Sequence, residues 1–181
     1  KYSQVWSMKK KMWNELGTLF ISAVEGRALG GGAEYTLQST ITLADDVKAR
    51  MGQPEITLGE LAGAGGVVYL PRMLGWAKAA ELIFTGRTLS AQQSLEIGLV
   101  NKVVPDAEVM GAAREMALEI AANAPLAIQA AKRMMRMAWN EPFNEHVHHV
   151  FLQLLPLMQT EDMKEGIKAF LEKREPQFKG K

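Results

Sequence analysis

The stretch that decides the fold reads VEGRALGGGAE at residues 24–34, followed by GQPEITLG at residues 52–59 and GAGG at residues 63–66. The first segment predicts a turn from a strand into a helix, because consecutive glycines give the backbone a freedom that other residues lack. If the helix begins at Gly31, its first amides have no partner within the helix and lie at the positive end of its dipole. Such a turn favours a bound oxygen that becomes negative during a reaction.

A glutamate accompanies each of the two glycine-rich segments. Glu34 lies in the first turn of the predicted helix, and Glu55 follows Pro54 in the second segment. Taken alone, Glu34 is explained by the helix dipole, which favours an acidic residue there, and Glu55 by an ordinary loop. Their pairing with glycine turns in neighbouring strand–turn–helix units favours another interpretation. In it both carboxylates face one pocket and share a water molecule, one as base and one as acid.

Other common sites match the sequence poorly. The glycines lack the G-x-G-x-x-G spacing of a dinucleotide site, and no Lys-Ser/Thr pair follows them as in a P-loop. There is no cysteine and no H-E-x-x-H motif, so we expect no metal. We therefore predict a surface or interface role for the three histidines, His146, His148 and His149. Ser22 and Ser90 lack the G-x-S-x-G setting of a serine nucleophile.

Composition limits the class of protein. The chain has 181 residues, of which 48% are hydrophobic and 23% charged, and its formal net charge is +1. These values are typical of a globular protein and give no reason to expect nucleic acid as a partner. We see no apolar run long enough to span a membrane and no signal peptide. The absence of cysteine fits a reducing compartment, and we expect a protein that is not secreted.

The chain alternates strands and helices in its first part and is helical afterwards. Strands are predicted at residues 19–24, 41–44, 50–52 and 99–104, and helices at residues 4–16, 31–39, 76–84, 91–97, 107–123, 126–139, 143–158 and 161–172. This order indicates an α/β fold with a helical C-terminal extension. We divide it into a core at residues 1–105 and a helical region at residues 106–181.

These segments resemble the enoyl-CoA hydratase/isomerase (crotonase) family. Residues 28–34 are similar to the family's A-L-G-G-G-x-E turn, residues 52–59 to its G-Q-P-E-x-x-L-G stretch, and residues 63–66 to its G-x-G-G loop. Ala124-Pro125 and the tail at residues 161–180 are similar to later family landmarks. The resemblance implies a crotonase-like ββα spiral, incomplete at its N-terminus, with a helical C-terminal trimerisation region. A homotrimer or hexamer is the implied assembly.

The resemblance also implies an activity, the hydration of a 2-enoyl-CoA to a 3-hydroxyacyl-CoA in fatty-acid or related acyl-CoA degradation. Glu34 and Glu55 match the two family carboxylates that add water, Gly31 matches an oxyanion-binding amide, and Gly63 matches an amide that helps to hold the water. Coenzyme A is then part of the substrate, and no separate cofactor is expected. Alternatives are isomerase, decarboxylase or thioester hydrolase chemistry, or a non-catalytic assembly or binding role.

The sequence departs from the family pattern in three respects. It lacks the family's N-terminal part, which bears the first turns of the spiral, the CoA cradle and the other oxyanion amide, and we expect those residues to complete an enzyme. The two carboxylates are 21 positions apart, slightly more than in typical hydratases, and Ser39-Thr40 replaces the usual Cys-Asp. Ala62 stands in place of a proline, and residues 67–69 read VVY instead of Thr-Gln-Arg.

Overall fold

The computed structural model describes residues 16–181, so the helix expected at residues 4–16 lies outside the described residues apart from its last position. The described chain divides into two compact units, one formed by residues 20–116 and the other by residues 16–19 together with residues 117–181. The division that we placed after residue 105 separates the chain by secondary-structure content and stays a prediction.

The first unit alternates short strands with helices. In chain order its elements are β1 Ile21–Val24, β2 Arg27–Leu29, α1 Gly31–Gln38, β3 Ile41–Asp45, β4 Arg50–Gly52, a 3₁₀ helix Pro54–Leu58, α2 Gly66–Leu74, α3 Trp76–Thr85, β5 Thr88–Ser90, α4 Ala91–Glu96 and β6 Lys102–Val104. Helix α5, Val109–Ala121, begins in this unit.

The strands form two three-stranded sheets. One sheet has the order β1-β3-β6 and is parallel throughout, with Ile21 opposite Ile41 and Leu43 opposite Lys102. The other has the order β2-β4-β5, in which β2 and β4 are parallel and β5 is antiparallel. The strand pairs β1–β2 and β3–β4 each place one strand in each sheet before the chain turns into helices, whereas α4 separates β5 from β6. The α/β prediction is confirmed.

Strand β3 separates two hydrophobic cores. Its successive side chains point to opposite faces of the sheet, and Leu43 and Ala44 are both 0% exposed. Leu43 packs in a cluster with Val109 of α5, whereas Ala44 belongs to the cluster that contains Met51. A parallel strand covered on both faces explains why two adjacent residues, Leu43 and Ala44, are both apolar and both buried.

Four elements were not expected from the sequence, one of them the 3₁₀ helix Pro54–Leu58. Strands β2 and β5 have three residues each, too few to show the alternation that indicates a strand. Helix α2 follows the GAGG segment and contains Pro71. Glycines before a helix and a proline inside it both weaken the helical pattern in the sequence.

The strand expected at residues 99–104 is shorter in the structure. The amides of Leu99 and Val100 donate to the carbonyl of Ser94, and the amide of Asn101 donates to Thr42, so the chain turns before β6 begins at Lys102. The helix expected at residues 91–97 is confirmed, and Ser90 caps it. The Ser90 hydroxyl accepts a hydrogen bond from the Gln93 amide.

The second unit is helical, as expected. It contains the end of α5 and the helices α6 Pro125–Met137, α7 Phe143–Leu157 and α8 Glu161–Glu172. The buried ammonium of Lys132 on α6 donates to the carbonyls of Leu16 and Thr18, and burial lowers the pKa of this lysine. In the part of the chain that the structure describes, no helix is long and apolar enough to cross a membrane.

Candidate active site

The glycine turn before α1 brings Glu55 against the backbone. Gly30 has φ 55°, a left-handed value that favours glycine, and its amide donates to the carbonyl of Gly52 at 3.0 Å. A Cβ at this position would lie 3.0 Å from Oε1 of Glu55. Glycine is therefore needed here both for the backbone conformation and for the close approach of the carboxylate. Gly31, the predicted oxyanion donor, is the next residue and begins α1.

Glu34 connects the first glycine segment to the second. Its residue is only 2% exposed, and its Oε1 accepts a hydrogen bond from the amide of Gly66 at 2.8 Å. Gly66 is the first residue of α2, so this carboxylate lies at the positive end of a second helix. A Cβ on Gly66 would lie 2.6 Å from Cβ of Ala62, a distance at which side chains clash. The hydrogen bond to Glu34 thus requires glycine at position 66.

The loop that contains Gly63 is anchored to α1 by Gln38. The buried Nε2 of Gln38 donates to the carbonyl of Glu34 at 2.9 Å and to the carbonyl of Ala64 at 3.2 Å. Gly63 itself is exposed and lies beside this anchor. The loop is therefore held next to Glu34, and the role expected of the Gly63 amide stays a prediction.

Glu55 lies on the 3₁₀ helix that follows β4 and is half-buried. Burial raises the pKa of its carboxyl above the ordinary value of 4.5, and the negative charges of Glu34 and Glu60 raise it further, while its own backbone amide acts in the opposite direction. Contacts link Glu55 to Glu34: the Gly66 amide donates to Glu34, and Gln53, which packs beside Gly66, contacts Glu55. Both carboxylates that the sequence singled out are therefore held at the start of α2.

Gln53 is a site residue that the sequence analysis did not single out. It is 3% exposed, and its side-chain amide, oriented by its neighbours, has the nitrogen 3.1 Å from Oε2 and 3.2 Å from Oε1 of Glu55. Its place in the GQPE segment, two residues before Glu55, was the available signal. An uncharged side chain next to a proline does not indicate a buried contact by itself.

The arrangement suits proton transfer at two neighbouring carboxyl groups. Glu55 retains its proton to a higher pH than an ordinary glutamate. Glu34 is fixed by a backbone amide. A water molecule between two such groups can give a proton to one while a substrate atom takes a proton from the other. The first amides of α1, which precede its first i→i−4 hydrogen bond, are available for a developing negative charge.

The histidines lie in a separate cluster in the second unit. Nδ1 of His146 and Nδ1 of His149 lie 2.9 Å and 3.0 Å from the same oxygen, Oε2 of Glu141. These contacts lower the pKa of Glu141. Among residues 16–181 no three histidine or acidic side chains are arranged to hold a metal ion. The cluster therefore supports the N-terminal half of α7, and the surface or interface role expected of these histidines stays a prediction.

The chain is similar to known proteins along its whole length. The family model described as enoyl-CoA hydratase/isomerase matches residues 1–181. The chain is 38% identical to 2,3-dehydroadipyl-CoA hydratase of Escherichia coli K12, over 96% of the chain and 69% of that protein. It is 36% identical to an enoyl-CoA isomerase/hydratase of Mycosarcoma maydis, over 89% of the chain and 59% of that protein. The chain thus spans about 60 to 70% of the length of these relatives.

Solved structures of similar proteins have the same fold. The crystal structure of enoyl-CoA hydratase from Bacillus anthracis superposes with a TM-score of 0.95 at 36% identity, over 98% of this chain and 69% of that one. An enoyl-CoA hydratase structure from Geobacillus kaustophilus superposes with a TM-score of 0.92 at 35% identity, over 99% of this chain and 69% of that one. The expected crotonase-like fold is confirmed by these superpositions.

Proposed function

The chain belongs to the enoyl-CoA hydratase/isomerase family, and from this we propose that its protein adds water to the double bond of a 2-enoyl-CoA. The product is a 3-hydroxyacyl-CoA. The single observation that carries the proposal is that Glu34 and Glu55 are held at one place, the start of α2, where the Gly66 amide donates to Glu34 and Gln53, packed beside Gly66, contacts Glu55. Hydration needs one group that accepts a proton from water and one that delivers a proton to carbon.

The roles of the two glutamates follow from their surroundings. Glu34 takes a proton from the water molecule while the water oxygen bonds to the β-carbon of the substrate. Glu55, which retains its proton to higher pH, gives that proton to the α-carbon. The proton received by Glu34 replaces the one lost by Glu55, so the pair as a whole keeps its charge through the turnover.

The glycine turn serves the thioester group. As the hydroxyl adds to the β-carbon, negative charge develops on the thioester oxygen, and an amide directed at this oxygen stabilises the intermediate. We assign this role to the Gly31 amide, because α1 begins there. Gly63 is assigned to the water, since its loop is held beside Glu34. Coenzyme A enters as part of the substrate, and the reaction needs no further cofactor.

Replacement of either glutamate by glutamine tests the proposal. Glutamine keeps the shape of the side chain and removes its proton chemistry, so Glu34→Gln and Glu55→Gln should each lower kcat for a crotonyl thioester by about a hundredfold or more. The matched control is Glu115→Gln on an exposed position of α5, which should keep the original rate. Near-normal hydration by both single variants would overturn the assignment.

Isomerase chemistry is the second candidate, because a relative from Mycosarcoma maydis is named an isomerase/hydratase. Moving a double bond requires one group to carry a proton between two carbons and requires no added water. A panel of 2-enoyl and 3-enoyl thioesters separates the two reactions. Uptake of solvent oxygen-18 into the product identifies hydration, and its absence with a shifted double bond identifies isomerisation.

We also propose a homotrimer or hexamer of the protein. Helix α7 contains no buried residue in the isolated chain, and several large apolar side chains of α7 and α8 are exposed, among them Phe143, Phe151, Phe170 and Leu171. Contiguous apolar surface of this kind is covered in most proteins by a partner.

For the compartment we propose the cytoplasm of a bacterium or the mitochondrial matrix of a eukaryote; one relative, from Dictyostelium discoideum, is named mitochondrial.

A further inference from the structure

We propose that Gln53 is a positioning residue for the hydration reaction, which acts through Glu55 as an uncharged hydrogen-bond donor. The inference rests on the proposed function and adds a residue that supports the acid group. It is drawn from three observations on the first unit, namely the contacts of the Gln53 amide, its burial against α2, and the charges that surround Glu55.

The first observation is the contact itself. The side-chain amide of Gln53 contacts both carboxyl oxygens of Glu55, and in the orientation that its hydrogen-bond neighbours favour, its nitrogen faces them at 3.1 Å and 3.2 Å. A donor shared between both oxygens limits rotation of the carboxyl group about its last bond. Because Glu55 is only half-buried and stands on a short 3₁₀ helix, such a restraint has a direct effect on where its oxygens point.

The second observation is that Gln53 is itself held in place. It is 3% exposed, and its Cδ lies 3.0 Å from the point where a Cβ of Gly66 would stand. The absence of a side chain at Gly66 therefore leaves the space that Gln53 occupies. The amide of Gly66 also donates to Glu34. The start of α2 therefore fixes the carboxyl groups of both Glu34 and Glu55.

The third observation concerns charge. The charged groups that affect the pKa of Glu55 are the carboxylates Glu34 and Glu60, and both raise it. A lysine or arginine in the position of Gln53 would favour the ionised form of Glu55 and oppose its role as an acid. An amide orients the carboxyl group without adding a charge, which is what a proton donor near neutral pH requires.

The variant that tests the role is Gln53→Met, which retains the length and much of the volume of the side chain and removes the donor. We expect kcat to fall about tenfold or more with KM nearly unchanged, since Gln53 is buried and acts through Glu55. In a Glu55→Gln background the same substitution should have almost no further effect on kcat, because Gln53 acts through Glu55. An equal fall in both backgrounds would contradict the proposal.

A second measurement does not depend on activity. Removal of a donor to the ionised carboxyl raises its pKa, so the Glu55 side-chain carbon should titrate at higher pH in Gln53→Met than in the original protein. NMR of carbon-13-labelled protein follows this titration. A second variant, Gln53→Glu, should also raise the pKa of Glu55, because it adds a negative charge beside the carboxyl group. A Glu55 titration that is the same in all three proteins would overturn the proposal.

These results separate two failures. If Glu34→Gln and Glu55→Gln both hydrate a crotonyl thioester at the original rate, the proposed function is wrong, and the NMR titration still decides whether Gln53 controls Glu55. If the glutamate variants are inactive and Gln53→Met keeps its kcat and its Glu55 titration, the function stands and the role of Gln53 is refuted. Thermal unfolding of each variant identifies a loss of kcat that is due to unfolding.

Discussion

Individual residues in the site are constrained by close contacts that leave no space for a side chain. Gly66 shows this most clearly, because a Cβ there would meet Cβ of Ala62 at 2.6 Å and Cδ of Gln53 at 3.0 Å. Neither neighbour is free to withdraw, since Ala62 is 2% exposed and Gln53 3% exposed. The backbone of α2 must therefore move if position 66 carries any larger residue, and the amide that holds Glu34 moves with it.

Gly66→Ala should consequently lower both stability and activity. Overpacking of this kind costs on the order of 1–3 kcal/mol in the free energy of unfolding, measured by denaturant titration. Gly111→Ala is the matched control, because Gly111 lies in α5 with nothing within 4 Å of an added Cβ. That substitution should raise the free energy of unfolding by about 0.5–1 kcal/mol. A Gly66→Ala protein as stable as the original would show that α2 is not fixed against Gln53.

Glu55 should reduce the stability of the folded protein at neutral pH. Its pKa is raised in the folded state, so the folded protein binds this proton more tightly than the unfolded chain does. The resulting stabilisation is complete below the ordinary value of 4.5 and is lost as pH rises through the raised pKa. Glu55→Gln, although inactive, should therefore unfold at a higher temperature than the original protein at pH 7.

The difference in unfolding temperature should close as pH falls toward the ordinary glutamate pKa. Differential scanning calorimetry from acid to neutral pH measures it, with Glu115→Gln as the exposed control. A Glu55→Gln protein that is less stable than the original at pH 7 would show that its contact with Gln53 outweighs the cost of burying the charge.

Secondary-structure elements were predictable from sequence where their pattern is long. The apolar run before the glycine triplet, the helix after it and the helices of the second unit all appear close to the expected positions. Elements of three residues, β2 and β5, and the proline-containing α2 were not predictable, because each is formed by pairing or packing with distant residues. The same reason applies to the site residues. The charged Glu34 and Glu55 can be recognised as candidates in the sequence, whereas the proposed role of Gln53 depends on its burial and its contact with Glu55, which only the structure shows.

Helix α8 depends on an ion pair with the chain that follows it. Arg174 contacts both oxygens of Glu165, at 2.6 Å and 3.0 Å, and the amide of Gln177 donates to the same carboxylate. These contacts lower the pKa of Glu165 from 4.5 to about 2. The depressed pKa contributes stability that is present above the ordinary value and is lost as pH falls through the lowered one.

The second unit should therefore become less stable between about pH 4.5 and pH 2, and part of this loss should be absent in Glu165→Gln. Hydrogen exchange of the α8 amides as a function of pH measures the effect at the helix itself. Glu115→Gln is a suitable comparison, because Glu115 is exposed and lies on α5, outside the contacts of Arg174. Equal pH dependence in the two variants would mean that the Arg174 contact does not stabilise α8.

The second unit exposes large apolar side chains on two of its helices, α7 and α8. Phe143 is 80% exposed and Phe170 83% exposed, on two different helices of the second unit. We predict sedimentation as a trimer or hexamer, and we predict that Phe151→Glu with Phe170→Glu shifts the protein to smaller species by placing charge in the contact. The control is Glu115→Gln, which should sediment as the original does. A monomer at micromolar concentration in the original protein would contradict the proposed assembly.

Strand β3 has a consequence for which changes in chain length the protein tolerates. It pairs with β1 on one edge and β6 on the other, and it has a hydrophobic core on each face. A deletion of one codon at Ile41 or Thr42 would turn every later side chain of the strand to the opposite face. Leu43 would then face the core that Ala44 now faces, and Ala44 the core that Leu43 now faces. Both cores would then be wrongly filled at once. Loops elsewhere can lengthen or shorten during divergence, but this strand must keep its length.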